Sequence, residues 1–200
     1  MKKRSIITAI IAGIVSIGLI GCGNSAGSSN DSSSNGDDKV IKVGVSPVPH
    51  EEIMEVAKPL LEAKGYTVEI VEFTDYVLPN TALESGEIDA NYFQHIAYLN
   101  SFNADNGTHL TYTAEIHLEP MGAFSKKYKT VDEVEEGAVV AVPDDPSNEA
   151  RALRVLAAAG LIEVNDGELI TTADITSNPK NLEFKELEAA TLQIGRASCR

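Results

Sequence analysis

The sequence predicts an α/β protein of two lobes with a ligand cleft between them, the second lobe incomplete in this chain. Three observations carry that expectation. From Lys39 onward, short apolar runs of strand character alternate with runs of helical spacing, the pattern of a mostly parallel sheet layered with helices. The alternation starts again near Glu119 and stops before a second sheet has room to close. Ahead of Lys39 lies sequence of a different composition that can join neither core.

Lys2, Lys3 and Arg4 precede an apolar run from Ile6 to Ile20. As a helix the run would cover about 22 Å, short of a hydrocarbon core of about 30 Å. A basic head on a short apolar segment reads as an export signal over residues 1–21. It closes on Leu19-Ile20-Gly21-Cys22, which resembles the lipobox of bacterial lipoproteins. The resemblance implies cleavage before Cys22 and a diacylglycerol on its thiol. Residues 22–38 are almost entirely Gly, Ser, Asn and Asp after the cysteine. Such a stretch buries nothing and serves as a flexible tether. The expected state is a protein anchored to a membrane by lipid, facing outside the cytoplasm, and not spanning the bilayer.

The net charge is −14, and losing the three cations of the signal leaves the remainder more acidic still. An acidic body argues against nucleic acid as a partner. With Cys22 lipidated, Cys199 has no cysteine to pair with, so no disulfide framework is expected.

In the first lobe, residues 39–118, "VIKVGVS" (Val40 to Ser46) reads as a strand. "HEEIMEVAKPLLEAKG" (His50 to Gly65) has helical apolar spacing and a terminal glycine. Thr67 to Phe73 alternates as a second strand, and Leu78 to Leu83 forms a short helix. Glu87 to Phe93 is a third strand, Gln94 to Asn103 a helix, and Leu110 to Leu118 a fourth strand. In the second lobe, residues 119–193, Gly137 to Asp145 holds a buried strand. Pro146 to Gly160 is a helix that a proline opens and a glycine closes. Leu182 to Ala190 contains a further strand. Ile194 to Arg200, "IGRASCR", breaks the acidic pattern and resembles a translated sequencing adapter, a non-native tail beyond which the gene would continue.

Ligands of open α/β sheets sit beyond the carboxyl ends of the strands. "NYFQH" ends the third predicted strand, "IHLEP" ends the fourth, and Asn148 and Arg151 open the Pro146 helix. Amide, aromatic, imidazole and guanidinium groups thus gather where a small molecule with an anionic end and an apolar body could sit. Helix-start N–H groups with Arg151 would hold a carboxylate, and Tyr76, Tyr92 and Phe93 could wall an apolar side chain. Each residue also has a plainer reading. The aromatics could be core packing, and Arg151 could be paired with Glu149. Asn148 could cap its helix, and His95 and His117 could be structural histidines.

Four stretches then carry a resemblance: "EFTDYVLPNTALESGEIDANYFQHIAYL", "HLEPMGAFSKKYKTVDEV", "VPDDPSNEARALRVLAAAGLI" and "SNPKNLEFKELEAA". Together they resemble the methionine-binding lipoproteins of ABC importers, the MetQ/NlpA family, from about Lys42 to Ala190. The resemblance implies a two-lobed periplasmic-binding-protein fold (type II-like) that closes on methionine or a similar small amino acid. It implies delivery to an ABC permease and ATPase, with no cofactor. It also implies a cleft of Tyr76, Asn91, Phe93, His95, His117, Asn148 and Arg151, with Arg151 on the ligand carboxylate. Family members continue past the point matched by Gln193 to finish the second lobe.

Two rivals stand beside this reading. His50, His95, His117 and Glu119 include good zinc ligands, although no His-rich loop accompanies them. An enzyme finds no support, since no G-x-S-x-G, H-E-x-x-H or nucleophilic cysteine pattern occurs.

Overall fold

The computed structural model of the chain describes residues 39–192. The signal, Cys22, the tether and the tail with Cys199 lie outside the described residues.

The first core is built on β1 (Val40–Val45), α1 (Glu52–Glu62), β2 (Thr67–Glu72), α2 (Leu78–Glu84), β3 (Ala90–Tyr92) and α3 (Ile96–Asn106). β1 pairs in parallel with β2 on one side and β3 on the other, so the sheet order is β2-β1-β3. A central parallel strand is covered on both faces and must be apolar, and Val43 and Val45 pack with Val68 in one cluster. Gly44 lies between them because nothing larger fits. A Cβ there would come 2.7 Å from Ile88 Cδ1 and 2.9 Å from the Phe73 ring.

The second core uses β4 (Val139–Pro143), α4 (Pro146–Ala158), β5 (Glu163–Val164), β6 (Ile175–Ser177) and β7 (Glu183–Leu187). β4 pairs with β7 in parallel, and β5 with β6 antiparallel. α4 buries Ala150, Leu153 and Leu156 against Val142, Ile162 and Leu182. Burying Leu153 completely contributes about 1.5–3 kcal/mol relative to leaving it in water.

Most predicted elements form where the sequence places them, and three differ. The third strand starts at Ala90, not Glu87, because the Glu87 and Ile88 N–H groups close the turn after α2 on Ala82 O. The helix after it starts at Ile96, with His95 as its N-cap, and ends at Gly107, whose φ of 65° is left-handed. Leu110 to Leu118 is not a strand: it makes no ladder among the described residues, and Leu118 is 91% exposed. Alternation alone does not make a strand. It needs a neighbouring edge to accept its hydrogen bonds and a face to bury.

Candidate functional site

The carboxyl ends of β1 and β3 open on one side of the sheet. The order β2-β1-β3 means that the chain crosses over β1 to form β3, leaving a crevice outside these ends. Ser46 and His50 follow β1, Tyr76 follows β2, and Phe93 and His95 follow β3. Asn148 and Arg151 stand in the first turns of α4, after β4.

At the first contact two helix starts meet. His95 Nδ1 accepts the Tyr98 N–H (3.1 Å), which leaves the ring proton on Nε2, and Nε2–H donates to Asn148 Oδ1 (2.9 Å). Arg151 Nη1 donates to the same oxygen at 3.1 Å, and Arg151 Nη2 donates to the Glu119 carbonyl at 3.0 Å. Asn148 Nδ2 turns the other way, to the Asp145 carboxylate, at 3.1 and 3.0 Å. The cap of α4 is Asp145, whose Oδ1 accepts the Asn148 N–H at 2.9 Å. Asn148 is therefore the bracket between α3 and α4, not the cap. Nor does Arg151 pair with Glu149, whose carboxylate accepts the Thr172 N–H at 2.8 Å. Burial holds the Glu149 carboxyl above its usual range, against the pull of that hydrogen bond.

The starts of two helices and one guanidinium thus lie together; the Asp145 carboxylate already meets the α4 start, and Arg151 is the cation left to face a further anion. Burial lowers the His95 pKa. The Asn148 hydrogen bond opposes that shift, Arg151 reinforces it, and Asp145 and Glu119 oppose it. The imidazole is neutral at pH 7 and serves as a fixed donor.

Beside this polar corner stands an aromatic group. The Tyr76 ring lies 5.8 Å from Phe93 and 6.0 Å from Tyr98 by centroids, and Phe93 lies 6.1 Å from Tyr98. The Tyr98 hydroxyl donates to Tyr76 O at 3.0 Å, tying the loop after β2 to α3. Burial pushes the Tyr76 hydroxyl up to about 12, with the charges of Glu119 and Asp145 adding to it. Both tyrosines stay neutral at any physiological pH.

Two predicted site residues do not join this group. Asn91 faces α2: its Nδ2 donates to Asn80 Oδ1 (2.8 Å) and Pro79 O (3.2 Å). Asn80, fully buried, exchanges two hydrogen bonds with Gln94, at 2.8 and 2.7 Å. These three amides fix the end of β3 onto α2, so Asn91 supports the site from behind. His117 stands on another side, where its Nδ1 meets the Tyr92 hydroxyl at 2.7 Å and its Nε2 meets Glu119 Oε1 at 3.0 Å. His50 packs edge-on against Tyr92, its ring centroid 4.8 Å away. Tyr92 accordingly belongs to the histidine side and not to the wall with Tyr76 and Phe93.

Sequence reasoning missed Tyr98, Asn80 and Ser46. Tyr98 sits three residues after His95, one helical turn on the same face, which is a readable signal. Asn80 has a weaker one, a polar residue among the buried positions of α2. A groove of about 380 Å³ between α3 and α4 is lined by Ala97, Ser101, Ser147, Arg151 and Arg154 among others. Arg151 is the predicted site residue on its wall.

The profile of the NlpA lipoprotein family matches residues 41–197. The D-methionine-binding lipoprotein MetQ of Escherichia coli (strain K12) is 42% identical over 193 residues, covering 95% of this chain and 68% of that protein. The crystal structure of the methionine-binding protein MetQ superposes with a TM-score of 0.75 at 44% identity, over 80% of this chain and 65% of that one. A nutrient-binding protein from Burkholderia cenocepacia, solved bound to methionine, gives 0.74 at 41% identity, over 77% of this chain and 66% of that one. The chain therefore spans between 65% and 68% of the length of these relatives.

Proposed function

Because the chain belongs to the NlpA lipoprotein family, we propose that it is the substrate-binding lipoprotein of an importer and captures methionine at the crevice described above. It hands methionine to a membrane permease driven by an ATPase and does no chemistry on it. The observation that carries this reading is the pairing of Arg151 with the α3 and α4 starts on one side and Tyr76, Phe93 and Tyr98 on the other. Arg151 and the helix ends take the carboxylate. The aromatic rings take the thioether, since sulfur packs favourably against ring edges at about 5 Å. His95 and Asn148 hold Arg151 in place, and the boundary between lobes falls near Glu119. Closure of one lobe on the other would complete the enclosure.

Anchoring follows from Cys22, which carries the lipid and fixes the protein on the outer face of the cytoplasmic membrane. Cys22→Ser should release it, and a variant that stays with membranes after a high-salt wash places the anchor elsewhere. For the ligand, calorimetry on a chain extended to the full length of the relatives, with L-methionine, D-methionine, a methionine dipeptide and leucine, tests the reading. Saturable one-to-one binding of a methionine compound, with leucine weaker, is expected. Binding of leucine equal to both methionine enantiomers, or no binding at all, would refute it.

A further inference from the structure

We propose that His50, His117 and Glu119 form a binding site for a divalent cation of the zinc class, beside the amino-acid crevice and sharing Glu119 with it. One ligand atom from each of the three residues lies within 4.8 Å of the others. Glu119 Oε1 is 3.0 Å from His117 Nε2 and 3.7 Å from His50 Nε2. Bonds of about 2.0–2.1 Å to a tetrahedral ion require ligand atoms roughly 3.4 Å apart. The trio needs adjustments of up to about 1.4 Å, within the reach of side-chain rotation on the exposed His117.

Both imidazoles are held from behind. His50 Nδ1 is 2.7 Å from Ser46 Oγ, and His117 Nδ1 is 2.7 Å from the Tyr92 hydroxyl. Each hydroxyl oxygen can accept a hydrogen bond from Nδ1–H, the tautomer that leaves the Nε2 lone pair free, and both Nε2 atoms then face one carboxylate oxygen. Histidines that ligate metals are oriented in this way by a partner on the other ring nitrogen. Two nitrogens and one oxygen with a position open to water suit zinc rather than magnesium or calcium, which take oxygen ligands. His95, weighed with these residues from sequence, is not part of the site, because both its ring nitrogens are engaged by Tyr98 N and Asn148 Oδ1. Glu119 touches both sites through different atoms: its carboxylate faces the histidines, and its carbonyl accepts from Arg151.

The test titrates the protein with zinc chloride at pH 7 against a chromophoric chelator, without methionine. Its result is thereby independent of the amino-acid-binding reading. One zinc per protein is expected, and cobalt in its place should give the visible absorption of a four-coordinate ion. Glu119→Gln, which keeps a hydrogen bond to His117 but loses the anion, should weaken zinc binding by at least tenfold. Ser46→Ala, acting only through His50, should weaken it about 10- to 100-fold. His117→Ala, at an exposed position that does not threaten folding, should abolish the cobalt spectrum. His109→Ala serves as a control, since His109 pairs with Glu84 at 3.4 Å elsewhere on the surface. Unchanged zinc affinity in Glu119→Gln and His117→Ala, or an equal loss in His109→Ala, would overturn the proposal.

Discussion

Arg151 is where the amino-acid-binding reading is most exposed to test. Its guanidinium donates to Asn148 Oδ1 at 3.1 Å and to the Glu119 carbonyl at 3.0 Å. Removing one partner of an enclosed ion pair costs about 3–5 kcal/mol. Because Arg151 is only half-buried in this chain, the lower part of that range applies. At 1.4 kcal/mol per tenfold, Arg151→Ala should weaken methionine binding by roughly two to three powers of ten. Stability without ligand should move far less. Asn148 Oδ1 keeps the His95 donor at 2.9 Å, and the Glu119 carbonyl, on a half-buried residue, can turn to water. A change below about 1 kcal/mol follows. Arg151→Lys keeps the charge but loses the fork that reaches two acceptors at once, so its affinity should fall between the two. Calorimetry gives affinity and urea unfolding gives stability on the same preparations. Unchanged affinity in Arg151→Ala would show that another group holds the carboxylate. A stability loss as large as the affinity loss would make Arg151 a structural residue.

Asn80→Ala should destabilise the protein by about 1–3 kcal/mol, since it leaves the Gln94 amide without its reciprocal partner and Asn91 without one acceptor; chemical unfolding measures it, and a neutral result would mean that water fills the gap. Gly44→Ala forces a Cβ to 2.7 Å from Ile88 and should cost about 1–3 kcal/mol, read as a lower unfolding midpoint. For pH, the His95 pKa is depressed in the fold mainly by burial among Asn148, Arg151, Asp145 and Glu119. The unfolded chain then binds a proton more readily, so this contribution to stability is complete above about pH 6.5 and is lost as pH falls through the lower folded value. Urea midpoints at pH 7 and pH 5 should show a drop that His95→Gln reduces, and an identical drop in both proteins would remove His95 as its source.

The order of the elements was legible because it rests on local chemistry. Gly44, Val43 and Val45 sit in a run too uniformly apolar for a surface strand, and Pro146 and Gly160 bracket α4 at the two positions their backbones suit. Leu110–Leu118 was misread for the opposite reason. Its alternation of Leu, Tyr, Ala and Ile with Thr and Glu is a local signal, whereas a ladder is a property of a neighbour that a local pattern cannot report.

The segment "IDANYFQH" marks the same divide within the site. Its eight residues go to several places, as a strand's alternation requires. Ile88 enters the core, and Asn91 and Gln94 lock β3 to α2. Phe93 and His95 turn to the crevice, and Tyr92 turns to His50 and His117. A strand of three residues and the three that lead from it to the helix cap therefore supply core packing, aromatic wall and bracing together. Sequence shows which chemistries are available at such a strand end. The split among them is fixed by long-range partners: Asn80 from fourteen residues before Gln94, Asn148 from 53 residues after His95, and Glu119 from a segment with no regular structure. Those partners also make the two sites separable by mutation, since Glu119→Gln leaves the carbonyl that Arg151 uses while altering the carboxylate that faces the histidines.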